Sequence, residues 1–232
     1  MLTEDRLEVR TYKRRAGRVT ATQAAALERF WPRLGLAADG HRLDLPTLFG
    51  REAPVVLEVG FGMGEVTAAI ATAQPELDVL AVDVHTPGHG NLLKLVAEAG
   101  LTNVRVVTGD ARVLLADMLV PSSLAAVRIF FPDPWPKSRH AKRRLVTPAF
   151  VDLVADRLVD HGVLHLATDV AGYALSVRAL TLAHVALRPV DIPWRPMTRF
   201  EQRGLAAGRA AHDVAVVRVP RGNWVEATAS GT

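Results

Sequence analysis

The chain has 232 residues, 49% of them hydrophobic, with no cysteine and a formal net charge of +4. That length suits one α/β domain with some extra terminal structure, and that apolar content excludes wholesale disorder. Disulfides and thiolate metal sites are excluded, no apolar run reaches the roughly 18 residues of a membrane span, and the opening MLTEDRLEVRTYKRR lacks the apolar centre of a signal peptide, so a soluble, cytoplasmic protein is expected.

Residues 1–50 are expected to form a basic arm plus a helix. Thr20 is placed to cap that helix, residues 21–31 carry it, and Pro32 is expected to end it. Pro46 and Gly50 mark the connection into the main domain, 51–220, and residues 221–232 read as a flexible tail. From there strands and helices alternate. Strands are expected at 55–59, 79–84, 104–108, 125–131 and 163–167. Helices are expected at 65–73, 91–99, 111–118, near 148–158 and near 170–184. Continuously apolar strands separated by helices predict a parallel sheet covered on both faces. After His184 the pattern changes: 185–190 and 213–219 are strand-like, with no clear crossover helix between them, which fits an antiparallel pair at a sheet edge. The expected fold is therefore Rossmann-like α/β, a mostly parallel seven-stranded sheet with an antiparallel edge strand.

The first strand runs into LEVGFGMGE, with glycines at 60, 62 and 64. Glycine lets the backbone turn tightly and approach a ligand, and the helix that follows presents its N-terminal N–H groups there. A dinucleotide fingerprint would need its third glycine at 65, where Glu65 stands and would repel a pyrophosphate. The pattern disfavours NAD and favours a nucleotide-like ligand without phosphates, S-adenosylmethionine (SAM) being the obvious candidate. Three acids sit at the ends of successive strands: Glu58 near the amino-acid part of such a ligand, Asp83 within reach of ribose hydroxyls, and Asp110 within reach of an adenine amino group. Each acid alone is better explained as a helix cap or a loop acid. Their combination with the glycine loop is what points to a site.

The fourth strand leads into FFPDPWPKSRHAKRRL. Pro132 and Pro134 stiffen the backbone around Asp133, as suits a group positioned before reaction. Trp135 is expected to pack against the domain rather than stack on a base. Lys137, Arg139, Lys142, Arg143 and Arg144 can meet phosphates. Further basic clusters lie at 10–18 and 195–209. From charge alone, solvated loops account for all three clusters, with one phosphate-binding face as the alternative. His85 and His89 are four apart but separated by Pro87 and Gly88, and read as satisfied or exposed residues rather than metal ligands.

FFPDPWPKSRHAKRRL resembles the signature of the bacterial tRNA (guanine-N7-)-methyltransferase family. The similarity continues in order through GRVTATQAAALERFWPRLGL, LEVGFGMGE, DVHTPGHGNLL, NVRVVTGDA, a strand ending in ATD, and RPMTRFEQRG. It spans the chain from about Arg10 to Val219. The resemblance implies a class I SAM-dependent methyltransferase fold, no metal, and a substrate guanine at position 46 in the tRNA variable loop. By motif position it implies cofactor contacts at Glu58, Asp83, Asp110 and Asp133 around Gly60, Gly62 and Gly64. It implies tRNA contacts at Lys137, Asp169, Thr198, Arg199, Phe200 and Glu201, with Arg139, Lys142, Arg143 and Arg144 on the tRNA backbone. Asp83 stands where the family usually has Glu, and Arg199 where it has Lys. Guanine N7 carries a free lone pair and no proton at neutral pH, so Asp133 is expected to position and electrostatically support the base rather than act as a general base. Besides tRNA no obligate partner is implied, and a monomer or homodimer is compatible.

Overall fold

In the computed structural model, which describes residues 11, 12, 17–220 and 222, the chain enters through helix α1 (Ala21–Leu34). Thr20 caps it as expected. Its side chain accepts from Gln23 N–H, and Gln23 Oε1 accepts from Thr20 N–H, a reciprocal capping box. Pro32 does not end the helix. It forfeits one hydrogen bond in the last turn, and Gly35 N–H closes the end on Trp31 O. Most of the basic arm, residues 1–10 and 13–16, and the expected tail apart from Gly222 lie outside the described residues.

An unexpected strand follows, β1 (Gly35–Ala37), and then the short helix α2 (Leu45–Phe49). The alternating units come next: β2 (Val55–Val59), α3 (Glu65–Ala73), β3 (Asp78–Asp83), α4 (Thr86–Glu98) and β4 (Val104–Thr108). The chain continues through α5 (Ala111–Val113), prolonged by a π turn over Leu114–Met118, into β5 (Leu124–Phe130). A 3-10 helix over Ser138–Arg143 precedes α6 (Pro148–Arg157), β6 (Leu158–Thr168) and α7 (Ala171–Ala183). The chain closes with β7 (Leu187–Pro189), α8 (Arg199–Ala206) and β8 (His212–Arg218).

Among the described residues the sheet has eight strands, in the order β1-β4-β3-β2-β5-β6-β8-β7. The expected seven are joined by β1, which pairs in parallel with β4. The antiparallel strand is β8, set between β6 and β7, so the edge itself is the short β7. The alternation of each strand divides the core between two faces. On one, Leu57, Leu80, Val127 and Ile129 pack with Leu114, Val154 of α6 and Val177 of α7. On the other, Val79, Ala81, Val104 and Val106 pack with Ala26 of α1, Ala71 of α3 and Leu92 of α4. Among the described residues no helix is long and apolar enough to cross a membrane. Strands β2 to β6 all run in one direction. Their carboxyl ends therefore form one rim, the place where open α/β sheets bind ligands.

Candidate active site

The first rim segment is the glycine loop after β2. Gly60, Gly62 and Gly64 have φ of 78°, 61° and 80°, the left-handed region that glycine enters without a Cβ penalty. A Cβ at Gly60 or Gly62 would meet nothing within 4 Å, so this side of the loop is open to a ligand. A Cβ at Gly64 would lie 2.7 Å from Leu92 Cβ, so the third glycine serves the packing of α3 on α4. Helix α4 also reaches the loop. It begins at Thr86, five residues before the expected start, because Pro87 sits in its first turn, where a missing N–H costs nothing. This places Gly88 against the loop, and a Cβ there would stand 1.9 Å from Gly62 O.

Asp83 ties these pieces together. Its Oδ2 accepts from Gly62 N–H at 2.8 Å, and its Oδ1 accepts from the N–H groups of Val84 at 2.6 Å and His85 at 3.0 Å. His89 is a satisfied residue, buried with Nε2 2.9 Å from Asp83 O. Glu58 is buried on β2, level with Arg128 on β5. Burial pushes its carboxyl up to about 7, against the pull of the Arg128 charge. Asp110 caps α5 by accepting from Arg112 N–H at 2.8 Å, and its carboxylate also takes Arg112 Nε and Nη2 at 3.1 and 2.7 Å. Asp83 thus holds the glycine loop against the start of α4, and Asp110 caps α5. Among the described residues no group of three or more His, Cys, Asp or Glu is placed to hold a metal.

The second rim segment is the Pro132–Asp133–Pro134 loop, half-buried and held from both sides. Phe131 and Trp135, which bracket it, have φ of 53° and 42°. Each such non-glycine residue costs on the order of 1–3 kcal/mol and persists only where its surroundings impose it. Those surroundings are visible. Phe131 N–H donates to Ala167 O at 2.7 Å. Trp135 is packed as expected: it is buried, its Nε1–H donates to Thr11 O at 3.1 Å, and the Arg143 guanidinium lies 4.9 Å over its ring. Arg144 Nε–H donates to Pro134 O at 3.1 Å, and its guanidinium stacks over Tyr173. Arg144 thus braces the loop, whereas Lys137, just before the 3-10 helix, and Arg139 and Lys142 on it present exposed charge.

The third segment is α8, a helix between the two strand-like segments where no clear helix was expected. Its start is written as T-x-x-E: Thr198 Oγ1 accepts from Glu201 N–H at 2.9 Å, and Glu201 Oε2 accepts from Thr198 N–H at 3.3 Å. Arg199 pairs with Glu65 at 3.4 Å, beside the glycine loop. The Phe200 ring lies 5.2 Å from the Phe131 ring. Asp169 does not cap α7, whose N-cap is Val170; it pairs with Arg209 at 2.9 Å. So α8 is tied to the start of α3 through Arg199 and Glu65, and the turn after it to the end of β6 through Arg209 and Asp169. The first basic cluster is described only in part: the Thr11 carbonyl meets Trp135, and Gly17 packs on His85 and Pro87.

Several comparisons with known proteins bear on this rim. Residues 52–214 match the family model described as "Putative methyltransferase". A tRNA (guanine-N(7)-)-methyltransferase of Streptomyces avermitilis is 50% identical over 222 residues, covering 91% of this chain and 76% of that protein. Another, from Halorhodospira halophila, is 49% identical over 217 residues, covering 89% of this chain and 94% of that protein. Among solved structures, the 16S rRNA methyltransferase KamB superposes with a TM-score of 0.56 at 14% identity, over 78% of this chain and 95% of that one. An antibiotic-related methyltransferase gives 0.54 at 17%, over 76% and 96%. At such identities these structures speak for the fold alone.

Proposed function

The chain belongs to the tRNA (guanine-N(7)-)-methyltransferase family, and we propose from that premise that it transfers a methyl group from SAM to N7 of the guanine at position 46 in the tRNA variable loop. The observation that carries the reading is the convergence on one rim of an open glycine loop, the braced Asp133 loop and exposed cations.

The donor set fits SAM. Uncovered left-handed turns at Gly60 and Gly62 suit a ligand lying against backbone, and Glu65 in the first turn of α3 suits one without phosphates. Glu58 would face its amino group, Asp83 its ribose and Asp110 its adenine. SAM supplies a methyl group activated by a sulfonium. Asp133 then accepts from the guanine N1–H and N2 edge and offsets the positive charge that develops on the base. No residue has to remove a proton, because N7 has none. Asp169 and the segment Thr198, Arg199, Phe200 and Glu201 adjoin the rim and shape the entry of a base drawn out of its stack. Lys137, Arg139, Lys142 and Arg143 grip the tRNA backbone by charge and shape. The setting is the cytoplasm, where tRNA is found.

Methylation of tRNA transcripts with the modified base mapped tests this reading. The expected product is N7-methylguanine, and any other product overturns it. Two further outcomes follow. Affinity for tRNA falls by at least about tenfold as salt rises from about 50 to about 200 mM, and Lys137→Ala flattens the logarithmic slope by about one unit. A flat salt response would sink the phosphate grip.

The second outcome concerns Glu58. Its folded pKa of about 7 lies above the ordinary value of 4.5. Its contribution to stability is therefore fully present below the ordinary value and lost as pH rises through about 7. A cation beside it favours the ionised form, so SAM affinity, measured by calorimetry, rises from about pH 6 to about pH 7.5. Glu58→Gln removes both trends. Persistence of either in that variant would show another group to be responsible.

A further inference from the structure

A buried cluster whose centre lies outside the predicted site joins the Asp133 loop to α8. Its centre is Arg195, in the IPWRP connection, with a side chain only 9% exposed. The guanidinium makes two bidentate pairs. To Glu201 the distances are 2.6 Å (Nη1) and 3.0 Å (Nη2), and to Asp213 they are 2.8 Å (Nε) and 3.0 Å (Nη2). It also lies 5.4 Å over the Phe130 ring and 5.6 Å over the Phe131 ring. Asp213 in turn meets buried His165, whose Nε2 is 2.7 Å from Oδ1, and His165 stands edge-on to Phe130 at 5.2 Å. Burial works against ionisation of Asp213, but the hydrogen bonds from His165 and Arg195 hold its carboxyl well below the usual range.

We infer that Arg195 is a positioning residue for methyl transfer: by clamping Glu201 and Asp213 while its planar face covers Phe131, it sets the aim of Asp133 and ties that aim to the placement of α8. The inference rests on the methyltransferase reading above. The geometry behind it is specific. Asp213 lies opposite Ala167 in the β6–β8 ladder, and Ala167 O is the acceptor of Phe131 N–H. Phe131, two residues before Asp133, is thus held at φ 53° from below by the sheet and from above by the guanidinium. Through Glu201 the same guanidinium fixes the first turn of α8, whose Phe200 ring lies 5.2 Å from the Phe131 ring. Only a planar fork with five N–H donors can serve two carboxylates and two rings at once. A lysine keeps the charge and none of this geometry.

The test is Arg195→Lys in the full chain, with Asp213→Asn as a second variant that breaks one side of the clamp isosterically. Single-turnover methyl transfer at saturating tRNA and SAM is expected to fall about 10- to 100-fold, the scale of a misplacement near 1 Å. SAM affinity should stay within a few fold, and thermal unfolding should remain a single cooperative transition. In Arg195→Gly, added guanidinium should restore part of the rate. Hydrogen exchange should quicken over residues 130–136 but not over the glycine loop. A folded variant that transfers methyl at the wild-type rate, or a loss of SAM affinity parallel to the loss of rate, overturns the inference. If wild-type protein methylates no tRNA, the enzyme reading fails, while exchange at residues 130–136 still decides whether Arg195 holds that loop.

Discussion

Asp133→Asn lowers methyl transfer to tRNA by about two to three orders of magnitude, while SAM affinity stays within a few fold. The rate estimate follows from what the loss of one preorganised electrostatic partner costs when charge develops in a reaction. The substitution keeps the shape of the side chain and removes its charge. The loop around it is held by Ala167, Arg144 and the packed Trp135, none of which the change disturbs. Single-turnover rates with saturating tRNA separate the chemical step from binding, and calorimetry reads the cofactor. A collapse of SAM affinity would instead make Asp133 a cofactor-holding group. An unchanged rate would remove it from the reaction altogether.

Gly88→Ala weakens SAM binding by about 10- to 100-fold, the range expected when an overpacked contact costs about 1–3 kcal/mol. The added methyl group would stand 1.9 Å from Gly62 O, a backbone atom with no flexible end to swing aside. Either α4 retreats or the glycine loop moves. In both cases the Asp83 carboxylate, which bonds Gly62 from one side and the start of α4 from the other, loses its geometry. Gly172→Ala in α7 is the matching control. It meets nothing within 4 Å at an ordinary helical φ and is expected to be neutral or slightly stabilising. tRNA affinity should survive Gly88→Ala, because the exposed cations Lys137, Arg139 and Lys142 belong neither to α4 nor to the glycine loop. Wild-type SAM affinity in that variant would mean that the loop does not depend on α4.

What could be read from local sequence is what local physics controls. The strands β2 to β5 and the second half of β6 are short, mostly apolar runs whose burial needs helices on both faces, and the sheet has both. The glycine loop was legible because positive φ without a Cβ penalty leaves few residue choices, and all three glycines take it. The stiffness of the Asp133 loop was legible from its prolines. Other local signals were present but not read. The T-x-x-E at Thr198–Glu201 is a helix start, and Pro87 in front of a helical run marks a first turn. β1 carries no pattern of its own. It is a strand because β4 offers it an edge, and its first residue is glycine because a Cβ would stand 2.1 Å from the Trp31 ring.

By itself, then, the sequence determined the class of fold, the rim on which the acids stand and the family, because periodicity, glycine conformation and motif order are properties of neighbouring residues. Which charges are already committed was decided only in three dimensions. Arg144 in the basic run turned inward to brace Pro134, and Asp169 was taken by Arg209. Arg195 reached Asp213, eighteen positions away, only because β8 folds back antiparallel against β6. Pairings of this kind depend on how the chain crosses itself. An ion pair closes when topology brings two side chains within a few ångströms, and no local pattern of residues encodes that distance.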